Sequence, residues 1–113
     1  MLCLIKIAED HNNKVYNLQE AIDIIEYALD KKWLKPDMYV DQPCKILKYM
    51  TGKNWTYEHS DSPTGLYNIE RWEWKTAKET LSHFRLNSWD SMDPSPVVKN
   101  GKRVSYRAIR KVD

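Results

Sequence analysis

The sequence predicts an α+β protein with N-terminal helices packed on a small C-terminal antiparallel sheet. Two observations indicate this: apolar residues recur at helical spacing in the first half, and the second half alternates with the period of strands. The helical part covers about residues 1–52 and the sheet about 54–111. Because 113 residues lie near the commonest domain size, we expect a single domain spanning 1–113.

Three helices are expected in the first half. Leu2–Asp10 is dense in apolar residues and leads into a His-Asn-Asn turn. Asn17 and Glu20 have the spacing of a capping box, which indicates the start of a second helix. Pro43 is typical of the first turn of a third helix, and Gly52 is typical of the residue that follows its end.

The second half predicts strands and a hairpin. The clearest local signal is the pair Asn100 and Gly101 between two β-rich runs, which is typical of a type I′ turn because both central residues need φ > 0. The runs on either side are Val97–Lys99 and Lys102–Arg110. Further strands are expected at Trp55–His59, Leu66–Trp74 and Ser82–Trp89.

Composition argues against several classes of protein. Apolar residues make up 42% of the chain, which argues against disorder. No apolar run reaches the roughly 20 residues that cross a membrane, and Leu2–Ala8 lacks the flanks of a signal peptide. With only two cysteines there is no disulfide framework, so we expect the protein to be located in the reducing cytoplasm. The His, Cys and Gly residues are too scattered for a zinc or phosphate motif, so no cofactor or metal is expected.

Basic residues are concentrated at the C-terminus. The formal net charge is +2, and residues 97–113 hold six basic side chains against one acidic side chain. Such a segment either binds nucleic acid or an acidic partner, or forms the solvated face of an edge strand. Arg103, Arg107 and Arg110 are its candidate binding residues.

Aromatic residues offer a second candidate contact surface. The chain has five Trp and seven Tyr against one Phe. Trp72 and Trp74 alternate along a predicted strand, so both side chains are expected on one face of the sheet. They either pack in the core or form an exposed contact patch.

One set of residues has the order of a thiol hydrolase. A thiol at a helix N-terminus is acidified and can attack a carbonyl as the thiolate, and a carboxylate can orient the imidazole that assists it. Cys3 lies early, on a predicted helix, and is followed by His83 on a predicted strand and then by the acids Asp90 and Asp93. The pattern favours Cys3 as a small buried residue over Cys3 as a nucleophile, and Cys44, at another helix start, is a second candidate thiol.

Short motifs resemble those of papain-like proteins. Ser82–Leu86 followed by Trp89–Pro94 resembles the histidine strand and Asp-Pro turn of bacteriocin-leader-processing cysteine peptidases. The nearer resemblance is to a papain-like family of unknown function from phages and bacterial plasmids. It extends to Leu4–Glu9 and to the closing segments Val98–Lys102 and Tyr106–Arg107. The resemblance implies a papain-like fold in which His83 is the general base and Asp93, or alternatively Asp90, is its orienting acid, with Cys3 as the nucleophile if the protein is active.

The sequence departs from this family at the position of the nucleophile. In such folds the nucleophile opens the first helix, after a segment that supplies an oxyanion-hole side chain, usually Gln. Only Met1 and Leu2 precede Cys3, so compared with this family the first helix is expected to lack its first turn and the nucleophile.

The resemblance and this departure together favour binding over catalysis. We expect a catalytically degenerate protein that binds another macromolecule, such as a phage-encoded inhibitor of a host factor. The alternatives are a cysteine peptidase or amidase using Cys3, His83 and Asp93, and nucleic-acid binding through the C-terminal hairpin. No membrane partner is expected.

Overall fold

A computed structural model describes residues 1–86 and 95–112 and confirms the α+β class. Helices dominate up to residue 51 and strands dominate from residue 54, as the change of sequence period predicted. Over the described residues the elements in chain order are α1 (Leu2–Asn12), α2 (Leu18–Asp30), α3 (Pro43–Thr51), β1 (Asn54–Ser60), β2 (Tyr67–Lys75), β3 (Thr80–Leu86), α4 (Pro96–Asn100) and β4 (Lys102–Val112).

The chain divides into two compact units. The first comprises Met1–Trp55 together with the chain from Lys111 onward, and the second is Thr56–Arg110. The division falls next to the boundary between helical and sheet parts that the sequence predicted. The assignment of a single domain stays a prediction.

The helix ends in the first unit follow the predicted capping signals. The backbone N–H of Glu20 donates to Asn17 Oδ1 at 2.8 Å, and the backbone N–H of Asn17 donates to Glu20 Oε1 at 3.3 Å. Pro43 occupies the first turn of α3, and Gly52 ends that helix with φ 73°. The capping box and both ends of α3 are therefore confirmed.

The core of the first unit is built from one apolar stripe on each helix. Helix α1 packs against α3, and the stacked rings of Tyr27 and Tyr49, 4.2 Å apart, join α2 to α3. Spacings of one, three and four residues place the buried side chains on one face of each helix. They are Leu4, Ile5, Ile7 and Ala8 on α1, Ile24 and Ala28 on α2, and Ile46 and Leu47 on α3.

The strands form one sheet in the order β1-β4-β2-β3. Strand β2 is antiparallel to both β3 and β4. Because β4 separates β1 from β2, the chain between them must cross β4. Arg110 on β4 holds this crossing, since its Nη2 donates to the carbonyl oxygen of Thr64 at 2.7 Å. Of the predicted strand 82–89, residues 87–89 lie outside the described residues.

The predicted hairpin at Asn100-Gly101 is wrong. Residues 96–100 form the short helix α4 instead, and Gly101 is extended with φ −100°. Ser95 caps the helix by accepting from the N–H of Val97, and Pro96 supplies the backbone angle of a first helical turn. Val97 is buried in this turn, and the sequence signal for a hairpin does not take that burial into account. Most of the basic C-terminal segment is consequently one long strand, β4, while Lys99 lies on α4.

Candidate functional site

A β-bulge in β4 decides which way Arg103 points. The register between β2 and β4 shifts between Arg71 and Trp72, which leaves Val104 as the extra residue of the bulge. One extra residue reverses the alternation of side chains along a strand. Arg103 therefore lies on the same face of the sheet as Tyr106.

That face carries aromatic and charged side chains from three neighbouring strands. Trp72 pairs with His83 on one side and with Arg103 on the other, so all three share a face. Trp72 and Trp74 are both partly exposed. We call this surface the tryptophan face and define it as Glu70, Trp72 and Trp74 of β2, His83 and Arg85 of β3, and Arg103 and Tyr106 of β4.

The buried carboxylate of Glu70 ties the tryptophan face together. Only 2% of this residue is exposed. Its Oε1 accepts from Arg85 Nε at 2.5 Å and from Trp72 Nε1 at 3.0 Å, and its Oε2 lies 3.5 Å from Arg103 Nη1. A buried carboxylate is costly unless it is paired, which explains the two arginines. Glu70 thus pairs with two guanidinium groups, of which that of Arg103 is the more exposed.

The arginines also stack on the aromatic rings of this face. The guanidinium of Arg85 lies 4.9 Å from the centre of the Trp72 ring, and that of Arg103 lies 4.9 Å from the centre of the Tyr106 ring. Both contacts are attractive because the faces of aromatic rings are electron-rich. The Trp72 indole is thus held at its N–H by Glu70 and across its ring by Arg85, which fixes its orientation.

The three arginines predicted on β4 lie in three different surroundings. Arg103 belongs to the tryptophan face. Arg107 is on the opposite face, where it lies 5.8 Å from the ring centre of Phe84. Arg110 lies towards the other end of β4, where it donates to the carbonyl of Thr64. Of the five predicted binding residues, the structure gathers Trp72, Trp74 and Arg103.

The predicted catalytic residues are distributed over both units. Cys3 is in the first turn of α1, in the first unit, and is partly exposed. His83 is in the second unit, on β3, and is also partly exposed. Asp90 and Asp93 lie outside the described residues. The catalytic triad therefore stays a prediction.

Cys44 has the character of a structural cysteine. It lies in the first turn of α3 and is partly buried. Burial raises the pKa of its thiol, because the charged thiolate is poorly solvated there. A nucleophilic cysteine needs the opposite shift, so Cys44 is a poor nucleophile.

Sequence reasoning missed Glu70 and Arg85. The sequence did contain one signal for Glu70. It lies two residues before Trp72 and four before Trp74, so strand alternation places an acid on the same face as two tryptophans. Its partner Arg85 lies 15 residues away on another strand, and only the strand register brings the two together. The bulge at Val104 depends on pairing in the same way.

Comparison with known proteins gives no relative for this chain: no family model matches it, and neither a curated protein nor a solved structure shows significant similarity. Within residues 1–86 and 95–112, no three His, Cys, Asp or Glu residues gather as a metal site would require. No helix in this part of the chain is long and apolar enough to cross a membrane. The chain's own residues are therefore what indicates its function.

Proposed function

We propose that this chain is a catalytically inactive, papain-like protein that acts by binding another protein through the tryptophan face. The order of its elements, helices first and an antiparallel sheet second, supports the papain-like part of the proposal. Inhibition of a host factor by a phage protein, which the sequence resemblance implies, is one form that such binding takes.

The observation that carries the proposal is a pair of partly exposed tryptophans, Trp72 and Trp74, on one face of the sheet beside arginine. Trp and Arg are the residue types most enriched among those that dominate binding energy at protein interfaces. Trp72 is already held by Glu70 and Arg85. A side chain that is ordered before binding loses little conformational entropy when a partner covers it.

Nucleic-acid binding through β4 is less well supported by the same geometry. A nucleic-acid surface needs several cations that reach one phosphate backbone. Arg107 donates to Ser105 and to the carbonyl of Tyr106, and Arg110 donates to the carbonyl of Thr64. These guanidinium groups are engaged within the sheet and lie on different faces.

The proposal is tested by site-specific photo-crosslinking in cells that express the protein. A benzophenone amino acid replaces Trp74, and the control carries it at Lys78, which is exposed in the turn between β2 and β3. We expect a discrete protein adduct from position 74 and none from position 78. An adduct that nuclease removes, or no adduct at position 74, would contradict the proposal.

Affinity measurements with the purified partner complete the test. Truncating an interface tryptophan costs about 2 kcal/mol or more, so Trp74→Ala should weaken binding about 30-fold. Tyr39→Ala removes an exposed aromatic side chain from the first unit and should leave the affinity unchanged. Equal affinity of Trp74→Ala and the unaltered protein, with circular dichroism showing both folded, would contradict the proposal.

A further inference from the structure

A polar pocket of about 330 Å³ lies beside Arg103. One wall is the segment Asp61–Pro63, which follows β1, and the other is Arg103–Tyr106 in the first half of β4. The second wall contains the bulge residue Val104. The bulge therefore both turns Arg103 onto the tryptophan face and shapes the pocket next to it.

Arg103 is the least engaged arginine of the tryptophan face. Arg85 makes the close ion pair with Glu70, whereas Arg103 approaches that carboxylate only to 3.5 Å. The guanidinium also lies over the Tyr106 ring, a contact that uses no N–H group. The side chain is 46% exposed, and within residues 1–86 and 95–112 its N–H groups have no closer acceptor. Its donors are available at the pocket.

The charges around the pocket select the kind of ligand. Arg103 brings a positive charge to one wall of the pocket, and Asp61 brings a negative charge to the other wall. A chain of phosphates would meet Asp61 with like charge. A carboxylate accompanied by a basic group would match both walls.

We propose that Arg103 receives an acidic side chain of the partner protein, an Asp or Glu that is followed by Lys or Arg. The planar guanidinium suits a carboxylate because two parallel N–H···O bonds form at once. The basic neighbour of the acid pairs with Asp61 across the pocket. This inference rests on the proposed function and names the residues by which the partner is anchored.

Two dipeptides and nuclear magnetic resonance test the inference. Acetyl-Asp-Lys-amide is titrated into the labelled full chain, and acetyl-Asn-Lys-amide serves as the neutral control. We expect saturable shifts of the Arg103 Nε–H signal and of the Val104 and Ser105 amides, in the millimolar range. The Asn probe should bind at least about tenfold more weakly, because it lacks the charge-assisted bonds.

Matched variants locate the response. Arg103→Gln should abolish it, with the remaining amide signals unchanged as evidence of folding. Lys111→Gln should retain it, since Lys111 is an exposed cation on the same strand but does not line the pocket. Equal response to both dipeptides, no saturable response at all, or a response that survives Arg103→Gln would overturn the inference.

A further arm separates protein from nucleic-acid ligands. If a ten-residue oligothymidylate shifts the same signals at lower concentration than the acidic dipeptide, the pocket binds phosphate and the inference fails. The dipeptide reports only on the pocket, whereas crosslinking from position 74 reports on the whole face. Dipeptide binding without a protein adduct would contradict the proposed function and leave only the pocket's preference for an acidic–basic pair. An adduct without dipeptide binding would contradict this inference alone.

Discussion

At the scale of single residues, Glu70 is the side chain on which the tryptophan face depends. Its carboxylate is buried and accepts from Arg85 and from the indole of Trp72. Removing its charge leaves two guanidinium groups beside each other without their shared counter-ion. A second glutamate on the same strand, Glu73, pairs with Arg71 at 2.8 Å, but both side chains of this pair remain partly exposed.

We predict that Glu70→Gln destabilises the protein by about 3 kcal/mol, because one partner of a buried ion pair is removed. Glu73→Gln, the matched control, should cost less than about 1 kcal/mol, since partly exposed ion pairs contribute little. Urea denaturation of both variants measures the two losses. Equal losses would show that Glu70 does not organise the face.

At the scale of helices and strands, local signals were reliable where both partners lie close in sequence. The capping box of α2 joins residues three positions apart, and its two hydrogen bonds are present. The Asn100-Gly101 signal failed because Ser95 and Pro96, just upstream, favour a helical turn instead. The bulge at Val104 was not predictable, since it arises from pairing with a strand about 30 residues away.

Two glycines end helices for different physical reasons, which predicts different costs for alanine. A Cβ at Gly101 would lie 2.1 Å from the carbonyl oxygen of Glu73, so Gly101→Ala must displace backbone. We expect a loss of about 2–3 kcal/mol, as for overpacked sites. Gly52 has φ 73° and open space around it, so Gly52→Ala should cost only about 1 kcal/mol of backbone strain.

Urea denaturation of the two alanine variants ranks these costs. A Gly101→Ala variant as stable as Gly52→Ala would mean that α4 does not approach β2 as closely as the structure has it.

At the scale of the whole molecule, the order of helices before sheet was predictable because the apolar period changes near residue 52. The candidate site was predictable only in part. Alternation correctly placed Trp72 and Trp74 on one face, but the sequence alone grouped Arg103 with Arg107, and the bulge places these two on opposite faces. Which side chains meet in a sheet depends on register, and register is a property of the assembled strands.

The central claim is that this chain works by binding and not by thiol catalysis. The measurement that tests it most directly is the rate of iodoacetamide alkylation at Cys3 and Cys44 as a function of pH, read by peptide mass spectrometry, with His83→Ala as the control. We predict that neither thiol reacts quickly below pH 7 and that His83→Ala changes neither profile.

Cys44 should need a higher pH than a free thiol, whose pKa is about 8.5, because burial raises the pKa of its side chain and so lowers the thiolate fraction at any given pH. Rapid alkylation of Cys3 below pH 7 that is lost in His83→Ala would contradict the account, since it would reveal a thiolate–imidazolium pair and make the chain a cysteine hydrolase.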